Sequence, residues 1–331
     1  MKKTLFVLFL VILTVLVGFS CAKKDASKSF QNIVFYANIT AIEPILEEFE
    51  QKTGIPVEYH RISATDFYAT VMNEYEAGLH LADVIQAPIA VLELLTNEGI
   101  LLPYVSAAAI DFPDWAKREK EGIYKFAIEY VSVIFNKDFI DFEDIPKEYQ
   151  DLADPKWKNK IVMPNPTIHP TTISWLVALK EHVFENDESQ WEKFIRGLAA
   201  NNPLFVDSFT PTSAVIISGE KPIGISMPKY IITNAPNSLD WANIEPILGS
   251  LRGIGISANA PNPDGARQFI DFWLSDDVGR FLANEVGEYV LVPDVFPPLE
   301  GMDTANIIPI VELSDEEINR WGSFFKDVFG V

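Results

Sequence analysis

From Ile254 to Gly287 the chain reads IGISANAPNPDGARQFIDFWLSDDVGRFLANEVG, and no other stretch restricts its folding as tightly. Ile254 and Ile256 belong to a strand that ends in a Pro/Asn loop. Asn262 can cap a following helix, with Pro263 in the first turn, where no backbone N–H is needed. Ala266, Phe269, Ile270 and Trp273 then recur at helical spacing as one apolar stripe. Ser275 caps a second helix whose stripe is Val278, Phe281 and Leu282, and Gly287 ends it. The spacing alone predicts a strand followed by a well-capped helix pair.

Upstream, strands and helices alternate. Ile33 to Tyr36 reads as a buried strand that runs through Ala37, Asn38 and Ile39 into Thr40, and Thr40 and Glu43 have capping-box spacing. A helix with Ile42, Ile45, Leu46 and Phe49 on one face follows, stops at Gly54, and gives way to a strand from Pro56 to Tyr59. This βαβ rhythm predicts an open α/β sheet, in which ligands bind beyond the C-terminal ends of the strands. Tyr36, Asn38 and Thr40 fall at that edge. Helices are expected over 64–78, 89–97, 173–184, 190–200 and 213–218, and strands over LADVIQAP, Phe126–Phe135, Lys160–Met163, Leu204–Val206 and Pro222–Ser226. Residues 240–252 read as a loop, and the tail carries one helix from Asp315 to Phe329 with Ile318, Trp321, Phe325 and Phe329 on its apolar face.

The 331 residues, 48% of them hydrophobic, suffice for about two domains. A formal charge of −21 repels nucleic acid and anionic lipid, so neither is an expected partner. It is no bar to an anionic ligand, because local donors set a pocket's preference. At the N-terminus Lys2 and Lys3 precede an apolar run from Leu5 to Val17, too short for a membrane span and shaped like a secretory signal. Cys21 is the only cysteine, and it stands where a bacterial lipoprotein is cleaved and lipidated. The site resembles a lipobox, with Gly18 and Phe19 in place of the usual aliphatic and small residues. A signal peptide over 1–20 and a tether over 21–30, anchored to the membrane through Cys21 and facing the periplasm or exterior, are therefore expected. An uncleaved anchor, or an ordinary signal with an incidental cysteine, is the other reading.

No GxSxG, phosphate-cradling loop or metal-spaced His/Cys cluster occurs, and His60, His80, His169 and His182 are scattered. The sequence argues against an enzyme and implies no cofactor. What it offers is hydroxyls at predicted helix starts, Thr40, Thr171, Thr172, Ser208, Thr212 and Ser213, where free N–H groups and the helix dipole suit an anion. Plain capping explains each equally well. Tyr36 and Tyr230 lie at strand ends, where a ring can stack on a ligand or pack in the core. His169, in the loop before a helix, can donate to an anion or bind a metal, although a lone loop histidine is more often surface filler.

Several longer runs carry a resemblance. NAPNPDGARQFIDFWLSDDVGRFLA, the ADV of LADVIQAP, EGILLPY, IPKEYQDLADPKWKNKIVMPNP and GEKPIGIS together resemble bacterial extracellular solute-binding proteins, the ligand-capturing subunits of ABC importers, in their iron- and thiamine-type branch. The resemblance spans about residues 30 to 295. It implies an α/β, two-lobe type II periplasmic-binding fold with a hinge and a ligand cleft. Lobe 1 would hold 31–130 and 256–295, lobe 2 would hold 131–255, and a tail over 296–331 would pack across both. It also implies a monomer that closes on a small solute and delivers it to a membrane permease. Ferric-binding members carry two adjacent tyrosines shortly after GEKPIGIS; here those positions hold Lys229 and Tyr230. A lysine opposes a trivalent metal and favours a phosphate, phosphonate or carboxylate group. The expected ligand set is Tyr36, Asn38, Thr40, Gln86, His169, Thr171, Thr172, Ser208, Thr210, Thr212, Lys229 and Tyr230. The alternatives are ferric iron held by Tyr230, His169 and Glu129, and an enzyme or sensor on the same fold.

Overall fold

The computed structural model describes residues 32–64, 66–311 and 313–331. The expected signal segment, Cys21 and the tether lie outside the described residues.

The first part of the chain follows its apolar periodicity. β1 (Ile33–Ala37), α1 (Glu43–Thr53), β2 (Val57–Arg61), α2 (Phe67–Glu76), β3 (Val84–Pro88) and α3 (Ile89–Asn97) alternate, and β1 lies parallel between β2 and β3. The entry to α1 differs from the expected capping box. Glu43 is the first helical residue, Ile42 occupies the cap with no side-chain bond, and Thr40 is exposed. Ala41 sits at φ 61°, which turns the chain before Pro44 sets the first turn, so Thr40 lies too far back to cap.

After short strands β4 (Leu101–Leu102) and β5 (Lys117–Arg118) comes β6 (Ile123–Asn136), which changes sheets midway. There follow β7 (Ile161–Pro164), α4 (Pro170–His182), α5 (Glu188–Ala200), β8 (Leu204–Val206), α6 (Phe209–Ser218), β9 (Ile223–Ser226), α7 (Lys229–Asn234), β10 (Leu239–Trp241) and β11 (Ile247–Ser257). The chain closes with α8 (Pro263–Trp273), α9 (Asp276–Phe281), β12 (Tyr289–Val290), β13 (Ile307–Ile310) and α10 (Asp315–Phe329). Along the sheet the order is β2-β1-β3-β11-β6-β9-β7-β8. The N-terminal part of β6 pairs antiparallel with β11, Ser250 opposite Glu129, whereas Ser132 to Phe135 pair with β9. β6 and β11 are thus the paired strands by which the chain leaves the first sheet and returns to it.

β11 corrects the expectation of a loop over 240–252. Its residues, ILGSLRGIGIS, are glycine-rich and carry an arginine, so they lack a strand's usual signature, yet all are buried between β3, β6 and β13. A Cβ on Gly249 would stand 2.6 Å from Ile128 Cγ2 and 2.7 Å from the Glu129 carbonyl oxygen. Glycine is what lets the two crossing strands approach.

The helix pair is as its sequence reads. Asn262 Oδ1 accepts from the Gly265 N–H at 3.1 Å, and Ala266, Phe269, Ile270 and Trp273 are buried. Phe269 and Trp273 pack on Phe35 of β1, ring centres 4.9 and 5.3 Å away. The buried Asp83 carboxylate accepts from the Val34 N–H at 2.9 Å and the Asn262 N–H at 2.5 Å, tying the entry of α8 to the first strand.

Among the described residues two apolar cores result. One lies around β1, β3, β11 and α8 and continues over one face of the second half through Ile134, Val162, Ile216, Ile231 and Trp241. The other gathers Trp175, Trp191, Phe194, Ile225 and Phe325. The tail divides between them: Leu299 and Met302 lie on the first, while α10 packs on α4 and α5 of the second.

Candidate functional site

Where β6 and β11 run side by side, the apolar interior is interrupted by charge. Arg252 on β11 is 3% exposed, and each of its three guanidinium nitrogens makes a hydrogen bond. Nε donates to Glu288 Oε2 at 3.0 Å, Nη1 donates to Asn38 Oδ1 at 2.9 Å, and Nη2 bonds Glu129 Oε1. At Arg252 the pairing of β11 with β6 slips by one residue, a bulge of the kind that re-aims a side chain. Lys229, the first residue of α7, brings its ammonium to 3.2 Å from Glu129 Oε1 and 3.4 Å from Glu288 Oε1. Glu288 follows Gly287, whose φ of 77° ends the helical turn after α9. A Cβ at Gly287 would stand 2.8 Å from Lys229 Cα, so glycine is needed both for the turn and for the approach of α7.

Two cations and two carboxylates thus share one buried corner with formal charge zero. Burial opposes ionisation of Glu129, Lys229 and Arg252, but their partners outweigh it. Arg252 and then Lys229 hold the Glu129 carboxyl below the usual carboxylate range. Glu288 and Glu129 together keep Lys229 above its ordinary value. Burial, and secondarily the Glu288 charge, push the Tyr130 phenol well up; its hydroxyl donates to the Gly287 carbonyl at 3.2 Å.

Asn38 connects this cluster to the ends of β1 and β3. Gln86 on β3 is fully buried, and its Oε1 accepts from the Asn38 and Ile39 N–H groups at 3.2 and 3.1 Å. On the side of α4 and α6, His169 caps α4: its Nδ1 accepts from the Thr172 N–H at 3.3 Å and lies 3.0 Å from Thr172 Oγ1. Neither Thr171 nor Thr172 is the cap, because Pro170 opens the helix one turn earlier than expected and leaves the imidazole in the capping place. Burial pulls His169 down to about 4, against a smaller upward pull from Glu129, so the ring is neutral at pH 7. Its edge meets the Phe209 ring at 5.0 Å. The Tyr230 hydroxyl lies 2.9 Å from Thr210 Oγ1, and the Lys229 ammonium stands 5.8 Å from the Tyr230 ring centre.

The structure therefore draws Asn38, Gln86, His169 and Lys229 towards one corner with Glu129, and keeps Tyr230 and Thr210 beside Lys229. Other expected residues are committed elsewhere. The Tyr36 hydroxyl donates to Glu74 at 3.1 Å, and its ring meets His60 edge-on. Burial and Glu74 push that phenol up to about 12. Thr212 Oγ1 donates to the Ser208 carbonyl at 2.9 Å within α6, and Ser208 heads that helix without a side-chain cap. Arg252 and Glu288 are the members that sequence reasoning missed. The one signal was an arginine inside an otherwise apolar and glycine-rich run. Among the described residues no group of three or more His, Cys, Asp or Glu side chains stands close enough to hold a metal ion. A groove of about 260 Å³ lies elsewhere, lined by Ile231, Leu239 and Leu299 together with Lys137 and Asp240.

A family model described as bacterial extracellular solute-binding protein matches residues 80–309. Iron uptake protein A2 of Synechocystis is 27% identical over 196 residues, 54% of this chain and 55% of that protein. The match spans little more than half of that relative. Among solved structures, a substrate-binding protein of an ABC transporter from Agrobacterium tumefaciens superposes with a TM-score of 0.74 at 16% identity, over 92% of this chain and 96% of that one. The ferric binding protein from Campylobacter jejuni gives 0.66 at 21% identity, over 90% and 98%.

Proposed function

Because the chain belongs to the bacterial extracellular solute-binding protein family, we propose that it captures a small solute at the Glu129–Lys229–Arg252–Glu288 corner and hands it to the membrane permease of an ABC importer. Its fold is the two-lobe, type II periplasmic-binding architecture, and its task is binding and release, with no bond made or broken. β6 and β11 are the natural hinge, since they are the paired strands between the sheets. A solute that touches Asn38 and Gln86 on one side and Lys229, Tyr230 and His169 on the other stabilises the closed lobes by contacts that the open form lacks. Acylation of Cys21 would keep the protein at the membrane surface beside that permease.

The solute is an anion bearing a carboxylate, phosphate or phosphonate group. The observation that carries this is the unequal tethering of the two cations. Arg252, with three partners, keeps Glu129 and Glu288 compensated, whereas Lys229 reaches them through longer bonds on a flexible stem and can turn to a ligand oxygen. A second reading, a ferric ion as cargo, is favoured by the nearness of Glu129 and His169 and by the relatives named for iron. It requires Lys229 to leave, because an ammonium beside a trivalent ion is repulsive. Native against denatured mass spectrometry of the full-length protein decides between them. A mass excess of one iron overturns the anion; an organic excess of a few hundred daltons supports it.

A further inference from the structure

Gln86 is the buried polar side chain at this corner whose bonding is incomplete. Its orientation is fixed, because Oε1 accepts from two successive backbone N–H groups, those of Asn38 and Ile39, and an NH2 turned towards them would meet donors. The amide NH2 must therefore face the other way. There it is shielded from solvent and finds no acceptor among the described residues. Buried donors are nearly always satisfied, and this one, fixed in orientation and set beside charged groups, is open to a further acceptor.

The register shows where that place is. Gln86 pairs with Ile254, and Arg252 lies two residues along the same strand, so the amide and the guanidinium leave one face of the sheet as diagonal neighbours. Asn38 joins them, since its backbone N–H binds Gln86 and its side chain binds Arg252. The donor thus belongs to the charged corner and not to the apolar core beneath it.

We propose that Gln86 reads the solute: its NH2 group donates to an oxygen of the ligand that is an acceptor only, a carboxylate or phosphate-type oxygen. This rests on the reading of the solute as an oxyanion. The geometry selects against ligand groups that can only donate, because an ammonium would set donor against donor at Gln86 and leave the amide unmatched.

The test is Gln86→Glu in the full-length protein. The substitution keeps an oxygen for the Asn38 and Ile39 N–H groups and replaces the NH2 with an acceptor. Calorimetric titration with citrate, inorganic phosphate and putrescine is run on both proteins. The expected result is that citrate or phosphate binds the wild type and loses at least tenfold in affinity in the variant, while putrescine binds the wild type weakly or not at all. Equal anion affinity in the two proteins overturns the role of Gln86 and leaves the anion reading in place. A wild type that binds putrescine or none of the probes overturns both. Should the variant not fold, the side-chain 15N–1H pair of Gln86 in the wild type gives the answer. It moves on addition of the bound anion if the proposal holds, and stays fixed while backbone signals move if it does not.

Discussion

Arg252 and Lys229 face the same two carboxylates with the same charge, but they are not equivalent. The planar guanidinium serves Glu288, Asn38 and Glu129 at once, whereas the ammonium lies at 3.2 and 3.4 Å from its partners. Removing one partner of a buried ion pair leaves an uncompensated charge, which costs about 3–5 kcal/mol. Arg252→Met leaves the two carboxylates only the longer contacts of Lys229 and is expected to fall in that range. Lys229→Met leaves Arg252 to neutralise both and is expected to cost about 1–2 kcal/mol, the scale of a hydrogen bond to a charged group. Urea denaturation of the two variants checks the order; a Lys229→Met loss as large as that of Arg252→Met would mean that the ammonium, and not the guanidinium, holds the corner. Lys229→Met is also expected to abolish anion binding that survives in Lys229→Arg.

At the scale of elements, what could be read in the sequence was whatever its own neighbours determine. The α8–α9 pair was legible to the residue because caps and stripes are local: Asn262, Ser275 and the Ala266–Trp273 stripe act within a turn or two. β11 was not legible, because its residues are chosen by strands far along the chain. Gly249 answers to β6, Arg252 to Glu288 and Glu129, and no local pattern announces either. The candidate site divides the same way: Asn38, Gln86 and Lys229 could be proposed from strand ends, while Arg252 and Glu288 needed the tertiary fold. Thr40 and Thr171 mislead for the complementary reason, that Pro44 and Pro170 set the helix starts. The dependence of β11 on β6 is testable. Gly249→Ala places a methyl 2.7 Å from the Glu129 carbonyl oxygen and 2.8 Å from Tyr130 Cα, so the crossing strands must separate. Overpacking of this kind costs about 1–3 kcal/mol. Because Glu129 moves with its backbone, on the anion reading proposed above the variant should also lose citrate affinity, which a destabilising change far from β6 and β11, Phe329→Ala on α10, should not.

For the whole molecule, acid acts in two opposite directions. A formal charge of −21 at pH 7 means that protonating surface carboxylates relieves self-repulsion, which favours the compact state as pH falls. The cleft works the other way. His169 titrates near 4 in the fold against 6.5 ordinarily, so the unfolded chain takes up a proton that the folded one refuses. For a base whose folded value is depressed, the stabilisation is complete above 6.5 and drains away as pH falls towards 4. Glu129, held low by Arg252 and Lys229, adds to the loss below the ordinary carboxylate range. A difference of 2.5 between 6.5 and 4 corresponds to about 3 kcal/mol, and because part of the ring meets solvent about 2 kcal/mol is expected at pH 4.5. Surface repulsion is spread over a Debye-screened shell and yields less per proton, so the local term should win in 0.15 M salt. His169→Asn isolates it, since asparagine caps α4 as well as the imidazole does and does not titrate. Wild-type stability should fall between pH 6.5 and 4.5 while that of the variant stays level or rises. Parallel curves for the two proteins would place the acid sensitivity in the surface charge instead of in His169.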